Sequence, residues 1–299
     1  MRKLTLVLAL CAGFSAMAQV LNVESVTQVK APFAGAKVAA VSPQGDYLLV
    51  TNDINQGLTK LDLATGATER VTDAAGAGYD VKVSQDGGTV VFRENSFTKN
   101  HLRKVALTGK NLATGEQTQL VKATRDLQGV AVQGATAMTV TKGKTSAKAL
   151  GKAKAVKGTL AYTTRDYQLM VSQDGKSRQL APLGADKRYL WVSLSPDGTR
   201  VLFFVSADAA YVCDLNGSNV KRLGVLRAAK WLDNNTVVGM NDTDDGHVTT
   251  ASAIVAMTLD GVSQTLTADD VIAMYPQVGG NKIAFSTPQG DTYVINFTK

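Results

Sequence analysis

The sequence predicts an all-β chain, a six-bladed β-propeller of four-stranded antiparallel blades whose last blade is completed by the N-terminal strand. Three observations carry this. The tetrapeptide Ser195-Pro196-Asp197-Gly198 recurs in degraded form as Ser42-Pro43-Gln44-Gly45 and Ser84-Gln85-Asp86-Gly87, each time leading into an apolar run (201–205, 47–50, 90–92). Glycine hairpins recur at the 40- to 50-residue period expected of propeller blades. The chain ends one strand short of a complete blade, while an alternating segment near its start has no hairpin partner.

In chain order, Arg2 and Lys3 precede an apolar stretch, 4–14, and Ala16-Met17-Ala18. This reads as a secretory signal peptide over 1–18, leaving 19–299 as a single propeller domain. The apolar core is well short of the roughly 20 residues that a membrane span needs, so no transmembrane segment is expected. Cys11 follows Leu10, where a lipoprotein signal carries a small residue. The expected destination is the periplasm, with the cell surface or the medium as alternatives. After cleavage only Cys213 remains. No internal disulfide can form, and Cys213, in the strand-like 211–215, reads as a small buried hydrophobe.

Five tight hairpins are marked by Gly66, Gly115, Gly175, Gly217 and Gly261, at spacings of 49, 60, 42 and 44 residues. Gly after Thr, Asp or Asn supplies the positive φ that such turns demand. Each is followed by a short alternating strand, the half-exposed outer strand of a blade. The spacing of 60 reads as one blade swollen by a lysine-rich insert at about 142–158. At the end, 282–286 and 292–297 supply inner strands without an outer one. The alternating Asn22-Val23-Glu24-Ser25-Val26-Thr27 fits that vacancy and would close the ring without a free sheet edge.

The run Trp191-Val192-Ser193-Leu194-Ser195-Pro196-Asp197-Gly198, continuing through Val201-Leu202-Phe203-Phe204, resembles the TolB-like, WD-type propeller repeats of bacterial periplasmic proteins. The resemblance covers nearly all of the chain after the signal segment, although three of the six expected blades have lost the Ser-Pro-Asp-Gly turn. It implies the fold and a place in the envelope, and it names no ligand. TolB carries an additional α/β domain before its propeller, for which no room is expected between Gln19 and the first blade.

Within the turn, Pro presets φ, Asp bonds backbone two residues on, and Gly accepts positive φ. Asp86 and Asp197 therefore read as turn residues. Function is expected on the face carrying the loops between second and third strands and the connections between blades: 52–56, 93–103, 142–157, 206–209, 241–249 and 287–291. Two of these carry the candidate binding residues. The lysine stretch, with Lys144, Lys148, Lys152 and Lys154, reads either as a solvated loop or as a contact to an anionic surface. The acidic segment Asn241-Asp242-Thr243-Asp244-Asp245-Gly246-His247 reads either as an exposed turn or as a ligand or Ca²⁺ site, although Ser252 stands where a calcium loop places its bidentate Glu.

The net charge of +7 does not point to nucleic acid. Two of the cations lie in the signal segment and six in the lysine stretch, which leaves the remainder close to neutral. There is no Gly-x-Ser-x-Gly elbow, and His101 and His247 are the only imidazoles. No catalytic residues and no cofactor are expected. The reading is a non-enzymatic binding or scaffold propeller that recognises a protein or envelope component. The alternative is a small hydrolase or lyase acting on a sugar or lactone with a divalent cation such as Ca²⁺.

Overall fold

The structure, a computed structural model, describes residues 19–152 and 154–299, and every helix or strand in them is a β-strand. Residues 1–18, expected to form a signal peptide, lie outside the described residues. The strands form seven antiparallel sheets, so the ring has seven blades rather than the six given by hairpin spacing. The N-terminal strand β1 (Asn22–Val29) belongs to the last of them. Blade 1 is β2 (Lys37–Val41), β3 (Tyr47–Thr51), β4 (Gln56–Asp62) and β5 (Thr68–Ala75); blade 2 is β6 (Lys82–Val83), β7 (Thr89–Phe97), β8 (Arg103–Asn111) and β9 (Gln117–Thr124).

The extra blade is hidden in the long spacing between Gly115 and Gly175. Blade 3 is β10 (Leu127–Gln133), β11 (Thr136–Thr141) and β12 (Lys144–Ala149); blade 4 is β13 (Thr159–Thr163), β14 (Leu169–Gln173) and β15 (Lys176–Gln179). Each has three strands, so two short blades occupy the length that a single swollen one was expected to fill. Part of the lysine stretch is itself a strand, β12. Blade 3 lacks an outermost strand, and blade 4 begins with a strand running in the direction of the second strands elsewhere. The start of β13 lies beside the end of β10, where Gln133 Nε2 donates to the Thr159 carbonyl at 2.9 Å. Nearby, the Val156 amide donates to Thr136 Oγ1 at 3.1 Å. The described parts of the link, 150–152 and 154–158, therefore lie on one side of the ring. The two omissions cancel in direction, and the regular path resumes at blade 5.

Blade 5 is β16 (Tyr189–Leu194), β17 (Arg200–Val205), β18 (Ala210–Asp214) and β19 (Lys221–Gly224); blade 6 is β20 (Arg227–Trp231), β21 (Thr236–Asp244), β22 (Thr249–Thr258) and β23 (Ser263–Thr265). Blade 7 is β24 (Met274–Gly279), β25 (Lys282–Ser286) and β26 (Thr292–Thr298), with β1 as its outer strand. β1 pairs with β26 from Asn22↔Thr298 to Val29↔Thr292. The amides of Val20 and Leu21, both 2.8 Å from Gln264 Oε1, tie the start of the described chain to blade 6.

Second strands are buried along almost their whole length, because each is covered by a blade on either side. That is why they read as continuous apolar runs. The core lies between blades. On the face of blade 5 turned to Leu169 and Val171 of blade 4, Phe203 meets Tyr189 edge-on at 5.4 Å and stacks on Tyr211 at 5.7 Å. Between blades 3 and 4 smaller aliphatic and thioether groups do this work, with Met138, Val140 and Leu160 around Tyr162. Cys213 is buried, and burial pushes its thiol up to about 12.

Hairpins joining first to second and third to fourth strands lie on one side of the ring, the turn face. Second-to-third hairpins and connections between blades lie on the other, the loop face. On the turn face, buried Ser42, Ser84 and Ser195 accept from the amides of Tyr47, Thr89 and Arg200 at 3.1, 2.8 and 3.0 Å. The same hydroxyls donate to Asp46, Asp86 and Asp197 at 2.5, 2.5 and 2.6 Å. In blade 1, where Gln44 replaces the turn aspartate, Asp46 supplies the carboxylate from two residues on. The Ser hydroxyl first, then a backbone amide, holds Asp86 and Asp197 below the usual carboxylate range.

Candidate functional site

The loop face differs from the turn face in what it exposes. Among the described residues eleven large apolar side chains are exposed. Eight of them, Ile54, Tyr79, Phe97, Leu102, Tyr167, Val225, Val248 and Tyr275, sit in loop-face connections or at strand ends beside them. Trp191 lies just inside, on the innermost strand of blade 5. Only Val156 is on the turn side, and Val26 is on the rim. Burying such groups is favourable at ~25 cal/mol per Å², so this one-sidedness describes a surface that gains by being covered.

Backbone strain holds several of these groups outward. Trp191 and Tyr275 have φ of 48° and 52° and lie at register shifts in β16 and β24. A bulge turns a side chain away from the regular pleat. Arginines lie over three of the aromatic rings: Arg93 over Tyr79 at 5.2 Å, Arg188 over Tyr167 at 4.3 Å and Arg227 over Trp191 at 6.0 Å. A guanidinium on a ring fixes it in place and adds a cationic, planar donor set at the same point.

Two of these arginines are also held by carboxylates. Arg93 donates to the carbonyls of Tyr79 and Asp80 at 3.0 and 3.1 Å and pairs with the Asp80 carboxylate at 3.0 Å. Lys82 pairs with the same carboxylate. Partial burial pushes Asp80 up, but Lys82 and Arg93 outweigh it and hold the carboxyl below its ordinary value. Arg227 pairs with Asp242 at 2.8 Å. The Asp242 side chain is only 2% exposed, and its Oδ1 has no partner among the described residues. Burial dominates there and raises its carboxyl despite Arg227.

A cleft of about 330 Å³ opens on this face between blades 6, 7 and 1, lined by Lys37, Val248, Met274, Tyr275 and Thr287 among others. It is mostly apolar, with one lysine at its edge.

The residues singled out in the sequence are dispersed. Asp242 faces inward on β21, whereas Asp244 and Asp245 are at the exposed tip of the same hairpin. Asp244 accepts from the Gly246 amide, and Asp245 from the amides of His247 and Val248, each at 2.9 Å. Those backbone donors, Val248 first, lower the Asp245 carboxyl. His247 is exposed beside them. Lys144 and Lys148 are on β12, with Lys148 Nζ 3.3 Å from the Gln119 carbonyl, while Lys152 and Lys154 lie on the link toward the turn face. Among the described residues no three His, Cys, Asp or Glu side chains come together as a metal would require, and no helix is long and apolar enough to cross a membrane.

The Arg–aromatic pairs and Lys82 were not legible beforehand. Arg93 falls within a stretch already expected on the loop face, but its partner Tyr79 reaches it only through the connection from blade 1.

Known proteins agree with the fold. No protein-family profile and no curated protein matches the sequence. Solved structures do match in shape. The WD40 repeats of RRP9 share 8% identity, cover 93% of this chain and 99% of their own, and give a TM-score of 0.63. An oligogalacturonate lyase of Vibrio parahaemolyticus shares 13%, with coverages of 91% and 93% and a TM-score of 0.56. A TolB-like protein of Agrobacterium tumefaciens shares 17%, with coverages of 89% and 91% and a TM-score of 0.53. This chain is a β-propeller similar to TolB-like and WD40 propellers. At these identities the likeness is one of fold, and the neighbours include both repeat domains and an enzyme.

Proposed function

We propose that this chain is an exported, non-enzymatic binding module that recognises a protein or cell-envelope component through its loop face. The observation that supports it is the concentration of exposed Tyr, Phe, Trp and aliphatic side chains on that face, three of the rings carrying an arginine. Aromatic and Arg side chains are the groups that dominate protein contact energies, because each buries a large area at low entropic cost. A closed ring supports them as a rigid platform. The WD40 neighbours are consistent with a docking role, and the signal-like 1–18 supports export to the periplasm. On this reading Lys144, at the loop-face end of β12, and the exposed hairpin tip Asp244, Asp245 and His247 modulate contact by charge.

The test is site-specific photo-crosslinking in exporting cells. A photoreactive residue placed at Tyr79, Phe97 or Tyr275 is expected to give discrete adducts, and the same residue at Lys176 or Asn216 on the turn face none. Equal labelling from both faces, or no adduct from the loop face, would refute the proposal. Recovery of a mature protein beginning at Gln19 in the periplasmic fraction tests export, and retention of residues 1–18 in the cytoplasm would contradict it.

A further inference from the structure

Four innermost strands enter the turn face in one register. The amides of Ser42, Ser84, Ser195 and Leu232 each bond back across the first turn of their blade, to the carbonyls of Tyr47, Thr89, Arg200 and Thr236 at 2.9–3.0 Å. Two residues before each lie Ala40, Lys82, Ser193 and Lys230, paired with Leu49, Val91, Leu202 and Val238. These four positions are therefore equivalent and share one level of the central channel. Blades 2 and 6 bring a lysine to that level, and blade 5 a serine.

The charges there do not balance. Lys82 is paired with Asp80, which Arg93 also holds. Lys230 makes no hydrogen bond or ion pair to any described residue. Burial first, then the Lys82 charge, lowers its ammonium to about 8, with Asp80 acting weakly the other way. A lysine pair facing one carboxylate, with one ammonium left without a partner, is an incomplete polar arrangement. It lacks an acceptor carrying negative charge. An oxyanion would relieve the repulsion between the lysines and accept from both ammoniums.

We propose that the central channel holds an oxyanion site formed by Lys82 and Lys230, taking a carboxylate or phosphate group. It stands independently of what the loop face docks. Asp80 keeps Lys82 in place without cancelling the site, because Arg93 shares the same carboxylate.

The site is tested by isothermal titration of the whole mature protein at pH 6.5 and constant ionic strength, with inorganic phosphate in one arm and acetate in the other. Saturable binding is expected in at least one arm, and which arm binds more tightly separates a phosphate from a carboxylate ligand. Lys230→Met should weaken it at least tenfold, and Lys230→Arg should restore most of it. Lys176→Met, on the turn face, should change nothing. Each variant is first shown to retain the wild-type β-sheet circular dichroism spectrum. If Lys230→Met does not fold, the wild-type pH profile decides: affinity should fall as pH rises through about 8, where Lys230 loses its proton. No saturable heat in either arm, binding unchanged in Lys230→Met, or affinity constant from pH 6.5 to 9.5 would overturn the proposal.

Discussion

The turn face and the loop face are built from the same seven sheets and obey opposite rules. On the turn face the turn serines close on their own chain: Ser195 serves the Arg200 amide and the Asp197 carboxylate at once, and the same device recurs at Ser42 and Ser84. Little is left to offer a ligand. On the loop face the backbone is strained at Trp191 and Tyr275, and rings stand in solvent under arginines. The difference teaches where selection for folding ends. A hairpin whose side chains satisfy its own amides contributes to stability, whereas a surface that exposes aromatic area gains only when something covers it.

That contrast can be broken most severely at the seam between blades 7 and 1. Gly280 has φ of 56°, and a Cβ there would lie 2.7 Å from the Gln44 carbonyl, backbone against backbone. Gly280→Ala is expected to lower unfolding free energy by about 2–4 kcal/mol, read from the denaturant midpoint, with loop-face crosslinks unchanged in the folded fraction. Next comes Ser195→Ala, which leaves the Arg200 amide without its acceptor at a cost of about 1–3 kcal/mol. A loss under about 0.3 kcal/mol, the resolution of such data, would mean that the tetrapeptide turn holds itself without the serine.

Asp242 separates the faces with the opposite sign. Its carboxyl is raised, so the ionised form is less favourable in the fold than in the unfolded chain. The stability this group contributes is present below its unfolded value of 3.8 and is lost as pH rises through the higher folded value. Asp242→Asn is therefore expected to be more stable than wild type at pH 7, by about 1 kcal/mol or less, and the advantage should vanish near the acid end of a thermal-unfolding series. A variant less stable at pH 7 would show that the Arg227 pair outweighs burial. The smallest effect on stability belongs to Tyr275→Ser and Phe97→Ser, within about 0.5 kcal/mol. The same changes should abolish crosslinking from neighbouring loop-face positions, and a large fall in melting temperature would instead make these rings part of the core.

Much of the fold was legible because its signals are local. Ser-Pro-Asp-Gly and the Gly hairpins name their own turns, and the alternation in 22–27 marks an outer strand that has lost its hairpin. The blade count failed where that local chemistry is absent. Blades 3 and 4 have no Ser-Pro-Asp-Gly copy and three strands each, and the lysines of β12 read as a solvated loop because they alternate on a third strand left at the sheet edge. In the acidic segment, sequence proximity suggested one site, but β21 turns Asp242 inward and leaves Asp245 to cap its own hairpin.

The sequence by itself determined that this chain is all β, repeats a turn-linked unit and closes on its own N-terminal strand, since propensity, turn chemistry and alternation act over a few residues. Only the tertiary structure decided that there are seven blades, that Arg93, Arg188 and Arg227 stand over aromatic rings, and that Lys82 and Lys230 share one level of the channel. Those facts join residues as far apart as 82 and 230, and no local preference encodes them: they follow from how blades pack around a common axis.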